Sequence, residues 1–191
     1  MNFFSPNLAI VSRKGPTIML ASGKRFDLLD PHNSDFDIAD IAHGLAHVCR
    51  YAGQCRTFYS VAEHSILVSE TVEDFAFEAL LHDAAEAFIG DITRPLKQLL
   101  PDYKAIEADI EATISARFQL RSDARPIIKK ADLRVLAAEQ IQVMAQGCAD
   151  WAEDAGIEPA DIKVRGLLPA DAKAEFLRRF EALRPKAIIA T

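Results

Sequence analysis

The segment ALLHDAAEAFIGD, residues 79–91, sets an imidazole beside a carboxylate at His82-Asp83 within an otherwise apolar run. A helix over residues 74–89 carries Phe75, Ala79, His82, Glu86 and Ile89 on one face, with Asp83 at its edge. Acids and imidazoles on a core-facing stripe are costly to desolvate unless something pairs with them, and one divalent cation can satisfy several at once. Two other residues share this character. His64 lies on an apolar helix side between Val61 and Leu67-Val68, and Asp132 lies one turn from Ile128 and from Val135 on a buried stripe. Each alone has a structural explanation: a hydrogen-bonded core histidine, or an aspartate serving a helix N-terminus. Four of them on the buried faces of three helices point instead to a metal site.

Two imidazoles and two carboxylates form a donor set of intermediate hardness. It suits one divalent ion, with Mn²⁺, Co²⁺, Mg²⁺, Fe²⁺, Ni²⁺ and Zn²⁺ all compatible. Such an ion polarises a phosphoryl oxygen and lowers the pKa of bound water. Glu86 points the same way as His82, one turn on, and Asp91 follows the helix-ending Gly90 where a loop can carry it over the metal. As catalytic groups, one orients the attacking water and the other protonates the leaving alkoxide. As structural groups, both are surface acids, or Asp91 caps the next helix. An anionic substrate also needs cations: Arg50, at the end of the first long helix, Arg56, Arg94 and Lys97 are the candidates. Arg94 and Lys97 follow Asp91 closely enough to share its end of a pocket. His43 and His47 are spaced for chelation on one helix face, but Gly44 stands where an HExxH motif has glutamate. They are expected to line or flank the pocket, or to face solvent, without holding metal.

These residues need helices to position them. Residues 17–29 read as a β-hairpin turning at Ser22-Gly23-Lys24, within a hairpin region of about 16–30. Asp35 or Asp37 caps a helix carrying Ile38, Ile41, Ala42, Leu45, Val48 and Cys49 on one side, ended by Tyr51-Ala52-Gly53. Ser60 with Glu63 forms a capping box for a helix to about Thr71. A short helix begins after Asp91. Residues 102–118 form a charged amphipathic helix, 126–145 a longer one opened by Pro126, and 170–184 a last one after a polar stretch at 146–168. The expected fold is all-α, a single-domain helical bundle with a core at about 36–145 and a small N-terminal hairpin.

Composition bounds the rest. The 191 residues are half apolar and carry a net charge of −6, which argues against a broad nucleic-acid-binding face. Cys49, Cys55 and Cys148 are odd in number, lack CxxC spacing and read as reduced thiols. Residues 1–15 show no long apolar signal-peptide core, and no run approaches the ~20 apolar residues of a membrane span, so a cytoplasmic protein is expected.

The order His64, His82-Asp83, Asp132 resembles the HD-domain metal-dependent phosphohydrolases. The longer text CRYAG, YSVAEHSILVSE, ALLHDAAEAFIGDITRPLK and KKADLRVLAAE resembles the branch of small bacterial and prophage proteins similar to 5′-deoxyribonucleotidases, over residues 20–145. The resemblance implies metal ligation by His64, His82, Asp83 and Asp132, catalysis by Glu86 and Asp91, and a phosphate clamp at Arg50. It further implies hydrolysis of nucleoside 5′-monophosphates, a small-molecule phosphate-ester substrate, and a homodimer. One departure is local: the nucleotidases carry tryptophan after that arginine, whereas Tyr51 stands here, which loosens the expected sugar selectivity. Residues 84–131 hold no histidine, unlike the diiron oxygenases of the superfamily, so a single metal is favoured. The Gly-Tyr-Pro signature of the cyclic-di-GMP phosphodiesterases is also absent. The alternative reading is a non-catalytic regulatory module that binds a nucleotide and signals to a partner.

Overall fold

The structure is a computed structural model and describes residues 16–185; the signal-peptide reading of residues 1–15 lies outside the described residues. A short antiparallel hairpin, β1 (Thr17–Met19) and β2 (Arg25–Asp27), pairs Ile18 with Phe26. Its turn passes through Gly23 at φ +84°, a left-handed conformation that glycine adopts without a Cβ clash. Among the described residues the elements beyond it are helices, as the patterning predicts. The helices are α1 (Ile38–His47), α2 (Val61–Glu70), α3 (Ala76–Leu80), α4 (Glu86–Ile89) and α5 (Arg94–Gln98). They continue with α6 (Pro101–Phe118), α7 (Arg125–Val143), α8 (Asp150–Asp154) and α9 (Pro169–Leu183). α8 is a short helix inside the polar stretch, where no element is expected.

α2 is the axis of the bundle. Residues Val61 through Ser69 are buried on every side, because α1, α3, α7 and α9 surround the helix. A helix buried all round has no solvent face to carry polar groups, so His64 and Glu63 each need an internal partner. The predicted capping box at its start is half formed: Ser60 accepts the Glu63 N–H at 3.2 Å. The Glu63 carboxylate instead accepts three loop N–H groups, from Arg165 (2.6 Å), Gly166 (3.2 Å) and Leu167 (2.8 Å). Three donors from the chain leading into α9 outcompete the single local one. The complete capping box sits on α1, where Asp37 caps Ala39 and Asp40 while Asp40 returns to the Asp37 N–H.

Two apolar groups fill the bundle. One joins the hairpin to α1, α4, α6 and α9 and centres on Phe26, stacked on Phe88 with ring centroids 3.9 Å apart, with Phe36 edge-on to both. The other packs α7 against α2 and α3 through Val135, Ala131, Leu67 and Tyr59. Gly44 is a packing residue: a Cβ there would lie 2.6 Å from the Ala87 carbonyl oxygen, so α1 meets the α4 segment closely only because position 44 has no side chain.

Two expected elements are corrected. The continuous helix over residues 74–89 is broken into α3 and α4, with tight turns through residues 81–85. In a continuous helix the Ala79 carbonyl would take the Asp83 N–H. It receives His82 instead, weakly from the backbone N–H (3.5 Å) and closely from the ring Nδ1 (2.7 Å). The first long helix also stops earlier than expected, at His47. Cys49 is extended and bridges Ser60, and Arg50 opens a separate short turn, Arg50–Gly53.

Candidate metal centre

The turn after Cys49 builds one wall of the site. The Arg50 N–H donates to the Tyr59 carbonyl (2.9 Å) and the Val61 N–H to Val48 (3.0 Å), which ties the turn to the start of α2. Tyr51 and Ala52 then occupy the left-handed region at φ 56° and 51°. Neither is glycine, so each costs on the order of 1–2 kcal/mol that surrounding contacts must offset. The chief of those contacts is Glu139.

Glu139 is fully buried on α7. Its Oε1 accepts from Arg50 Nε (3.0 Å), Arg50 Nη2 (2.7 Å) and the Tyr51 hydroxyl (2.6 Å). Its Oε2 accepts from the Tyr59 hydroxyl (2.6 Å) and from His64 Nδ1 (2.8 Å). Burial alone would raise its pKa, but the Arg50 guanidinium and His64 overcome that and hold it at about 2. Sequence reasoning missed this residue, although the signal was present. Glu139 lies seven residues, two helical turns, after Asp132 on the stripe of Ile128 and Val135, so it is a second acid facing the core.

The ionised carboxylate decides the state of His64. A carboxylate only accepts, so Nδ1 carries a hydrogen and Nε2 faces the site. The same logic applies to His82, whose Nδ1 donates to the Ala79 carbonyl (2.7 Å). Burial and the Arg50 charge lower the pKa of the His64 ring, but Glu139 and Asp132 outweigh them and raise it to about 9, so without a metal its Nε2 also holds a proton that a cation would displace. Both Nε2 atoms are buried and make no hydrogen bond. They flank Asp83 Oδ2, at 3.5 Å from His64 and 3.2 Å from His82. His64, His82 and Asp83 offer ligand atoms within 4.8 Å of one another and could hold a metal ion. Two orphaned imidazole nitrogens converging on one carboxylate oxygen fit a divalent cation. Asp132 adjoins the group through His64, with Oδ1 3.3 Å from Nε2, while its Oδ2 accepts from Lys129 (2.8 Å).

The remaining predicted residues divide. Glu86 is buried, with Oε2 unpartnered; burial and then the charges of Asp83 and Asp91 push its pKa well up. Asp91 is half-buried and also shifted up, by burial, with Arg50 pulling against it. It does not cap α5, whose N-cap position is Thr93. Arg50 turns Nη1 toward Asp83 Oδ2 at 3.7 Å, so one edge of its guanidinium faces the site and the other is held by Glu139. Tyr51 is half-buried and its hydroxyl is committed to Glu139. Arg94 is exposed and, among the described residues, makes no hydrogen bond or ion pair; the fold does not bring it to the site. Lys97 feels Glu86 and Asp83 but pairs with Glu107 at 2.6 Å. Arg56 lies apart, donating to the Met144 carbonyl. His43 and His47 stack on each other with centroids 4.2 Å apart, and His47 Nδ1 lies 2.8 Å from the His43 carbonyl, outside the metal group. All three cysteines are free.

A cavity of about 360 Å³ opens beside the group, between α6 and α7, and is lined by His82, Asp83 and Asp132. Among the described residues no helix is long and apolar enough to cross a membrane.

No family model matches the chain. It is 42% identical over 164 residues to "Uncharacterized protein YfdR" of Escherichia coli (strain K12), covering 85% of this chain and 92% of that relative. The chain belongs to the YfdR family. A second family member, an uncharacterized protein of Rhodobacter capsulatus, is 37% identical over 186 residues, covering 86% of this chain and 93% of its own length.

Proposed function

We propose that this YfdR-family protein is an HD-type metal-dependent phosphohydrolase releasing phosphate from nucleoside 5′-monophosphates. The observation that carries the reading is the convergence of two unpartnered imidazole nitrogens on Asp83 at the mouth of a ligand-sized cavity, with two further acids beside it. His64, His82 and Asp83 would hold the ion, with Asp132 completing the set. When bound, a divalent cation there supplies Lewis-acid polarisation of a phosphoryl oxygen and a more acidic water. Mn²⁺, Co²⁺, Mg²⁺, Fe²⁺, Ni²⁺ and Zn²⁺ all suit the donor set.

The chain's own groups supply the rest. Glu86, buried and raised in pKa, holds a proton that it can deliver to the leaving oxygen. Asp91, the more accessible acid, takes a proton from the attacking water. Arg50 presents one edge, Nη1, to an equatorial phosphoryl oxygen, its angle set by Glu139. A buried proton donor, Glu86, and a more accessible water-activating acid, Asp91, beside the metal group favour an enzyme over a purely regulatory nucleotide binder, which has no use for them.

The test is a phosphate-release screen across nucleoside monophosphates with Mn²⁺, Co²⁺ or Mg²⁺ added to metal-stripped protein. Metal-dependent release that is lost in Asp83→Ala is expected. No release with any of these metals would overturn the assignment.

A further inference from the structure

The substrate's phosphate has an obvious place, beside His82 and Asp83; where its organic part goes is a separate question. Two directions lead away from the metal group. One runs toward the Arg50–Gly53 turn, where two Arg50 nitrogens and the Tyr51 hydroxyl all donate to Glu139 Oε1. The Tyr51 ring packs with the α7 core group, so this side is filled, and apart from Arg50 Nη1, which faces the phosphate position, these donors are engaged. The other runs into the cavity between α6 and α7. That space is about 360 Å³, within the range of small-molecule sites, and is continuous with the metal ligands.

The cavity has a composition that fits one kind of occupant. Its floor is apolar, built from Leu81, Ile114, Leu120 and Ile128. Its rim carries Arg125 and Glu111. Among the described residues neither makes a hydrogen bond or ion pair, whereas the neighbouring cations are engaged: Arg121 with Asp123 at 2.9 Å, Lys129 with Asp132 at 2.8 Å. Arg125 lies near enough to Glu111 to pull on its carboxyl without a short contact. An apolar slot edged by a donor fork and an acceptor, neither held by a hydrogen bond, suits a flat, heteroaromatic ring with polar edges. An aliphatic alcohol would leave the floor uncovered.

We propose that the α6–α7 cavity is the leaving-group subsite and takes a nucleobase, with Arg125 and Glu111 reading its edge. This rests on the phosphomonoesterase reading above, and it moves specificity from Tyr51 to α6 and α7. Ring burial against the floor holds the nucleoside, and the rim pair selects among rings. The phosphate then projects back toward His82 and Asp83.

Two experiments test it. Photolabelling full-length protein with 8-azidoadenosine 5′-monophosphate, followed by peptide mapping, does not depend on turnover. Label on residues 101–132 is expected; label on residues 50–59, or none above a heat-denatured control, would overturn the subsite. Ser115→Trp places an indole in the cavity from a half-exposed position on α6. It should lower the ratio of kcat/KM for AMP to that for glycerol phosphate by about tenfold or more. An unchanged ratio in a folded variant would overturn the subsite while leaving the hydrolase assignment intact. Absence of all turnover with label still on residues 101–132 would remove the hydrolase and keep the base pocket.

Discussion

Glu139→Gln keeps the side-chain shape and removes the charge that organises the site. The carboxylate accepts five hydrogen bonds, three at Oε1 and two at Oε2. An amide keeps one accepting oxygen and replaces the other with a donor, so at least two of the facing donors lose their acceptor. Arg50, only 8% exposed, also loses its buried counter-charge. Breaking a buried ion pair by neutralising one partner costs about 3–5 kcal/mol. The pH dependence gives a second route to the magnitude. Glu139 titrates near 2 in the fold against an ordinary 4.5. A depressed carboxylate stabilises the fold fully above its unfolded value and loses that contribution as pH falls from about 4.5 through about 2. At ~1.4 kcal/mol per unit this amounts to about 3.5 kcal/mol. Both routes point to a drop in Tm on the order of 10 °C at pH 7, and to a wild-type acid transition below pH 4.5 that flattens in the variant. Circular dichroism melts at pH 7, 4 and 3 measure both. Because His64 loses the acceptor that sets its ring, Mn²⁺ affinity by calorimetry should also fall by about 10–100-fold. Equal Tm values at pH 7 with parallel acid curves would refute the idea that Glu139 holds Arg50 and His64 in place.

Metal content should fall to background in His64→Ala, His82→Ala and Asp83→Ala by elemental analysis; full occupancy in all three would dismiss the site. Glu86→Ala and Asp91→Ala should keep the metal yet lose about 10²–10⁴ in kcat, the range for a general acid or base. Tyr51→Phe removes one hydrogen bond to a charged acceptor and should cost about 1.5–3 kcal/mol in urea denaturation. Since that hydroxyl faces Glu139, the same variant should leave the ratio of AMP to dAMP turnover unchanged, a comparison that a sugar-reading Tyr51 would fail. Gly44→Ala must move α1 off the Ala87 backbone and should destabilise by about 1–3 kcal/mol, visible as a lower Tm.

Much of this architecture is legible in the chain. The helical periods, an aspartate cap on α1 (Asp37 of the two the sequence offers), the turn at Gly23 and the proline-opened α7 are local signals, and each needs only neighbours a few residues away. His64, His82 and Asp83 were visible for a related reason: ionisable groups on apolar stripes conflict with burial wherever the helix packs. What was not legible depends on residues far apart in sequence. The break at residues 81–85 follows from His82 taking the Ala79 carbonyl, which pattern alone does not distinguish from a regular helix. Glu63 serves the loop at residues 165–167, about a hundred residues away, rather than its own helix start. Arg94 and Tyr51 stood close in sequence to catalytic candidates, yet the fold leaves the first in solvent and turns the second inward. Glu139 joins Arg50, Tyr51, Tyr59 and His64 across 75 to 89 residues of chain. Periodicity says which groups are buried; only the packing of α7 on α2 says which of them meet, because a buried charge is satisfied by whatever donors the tertiary fold brings within hydrogen-bonding reach.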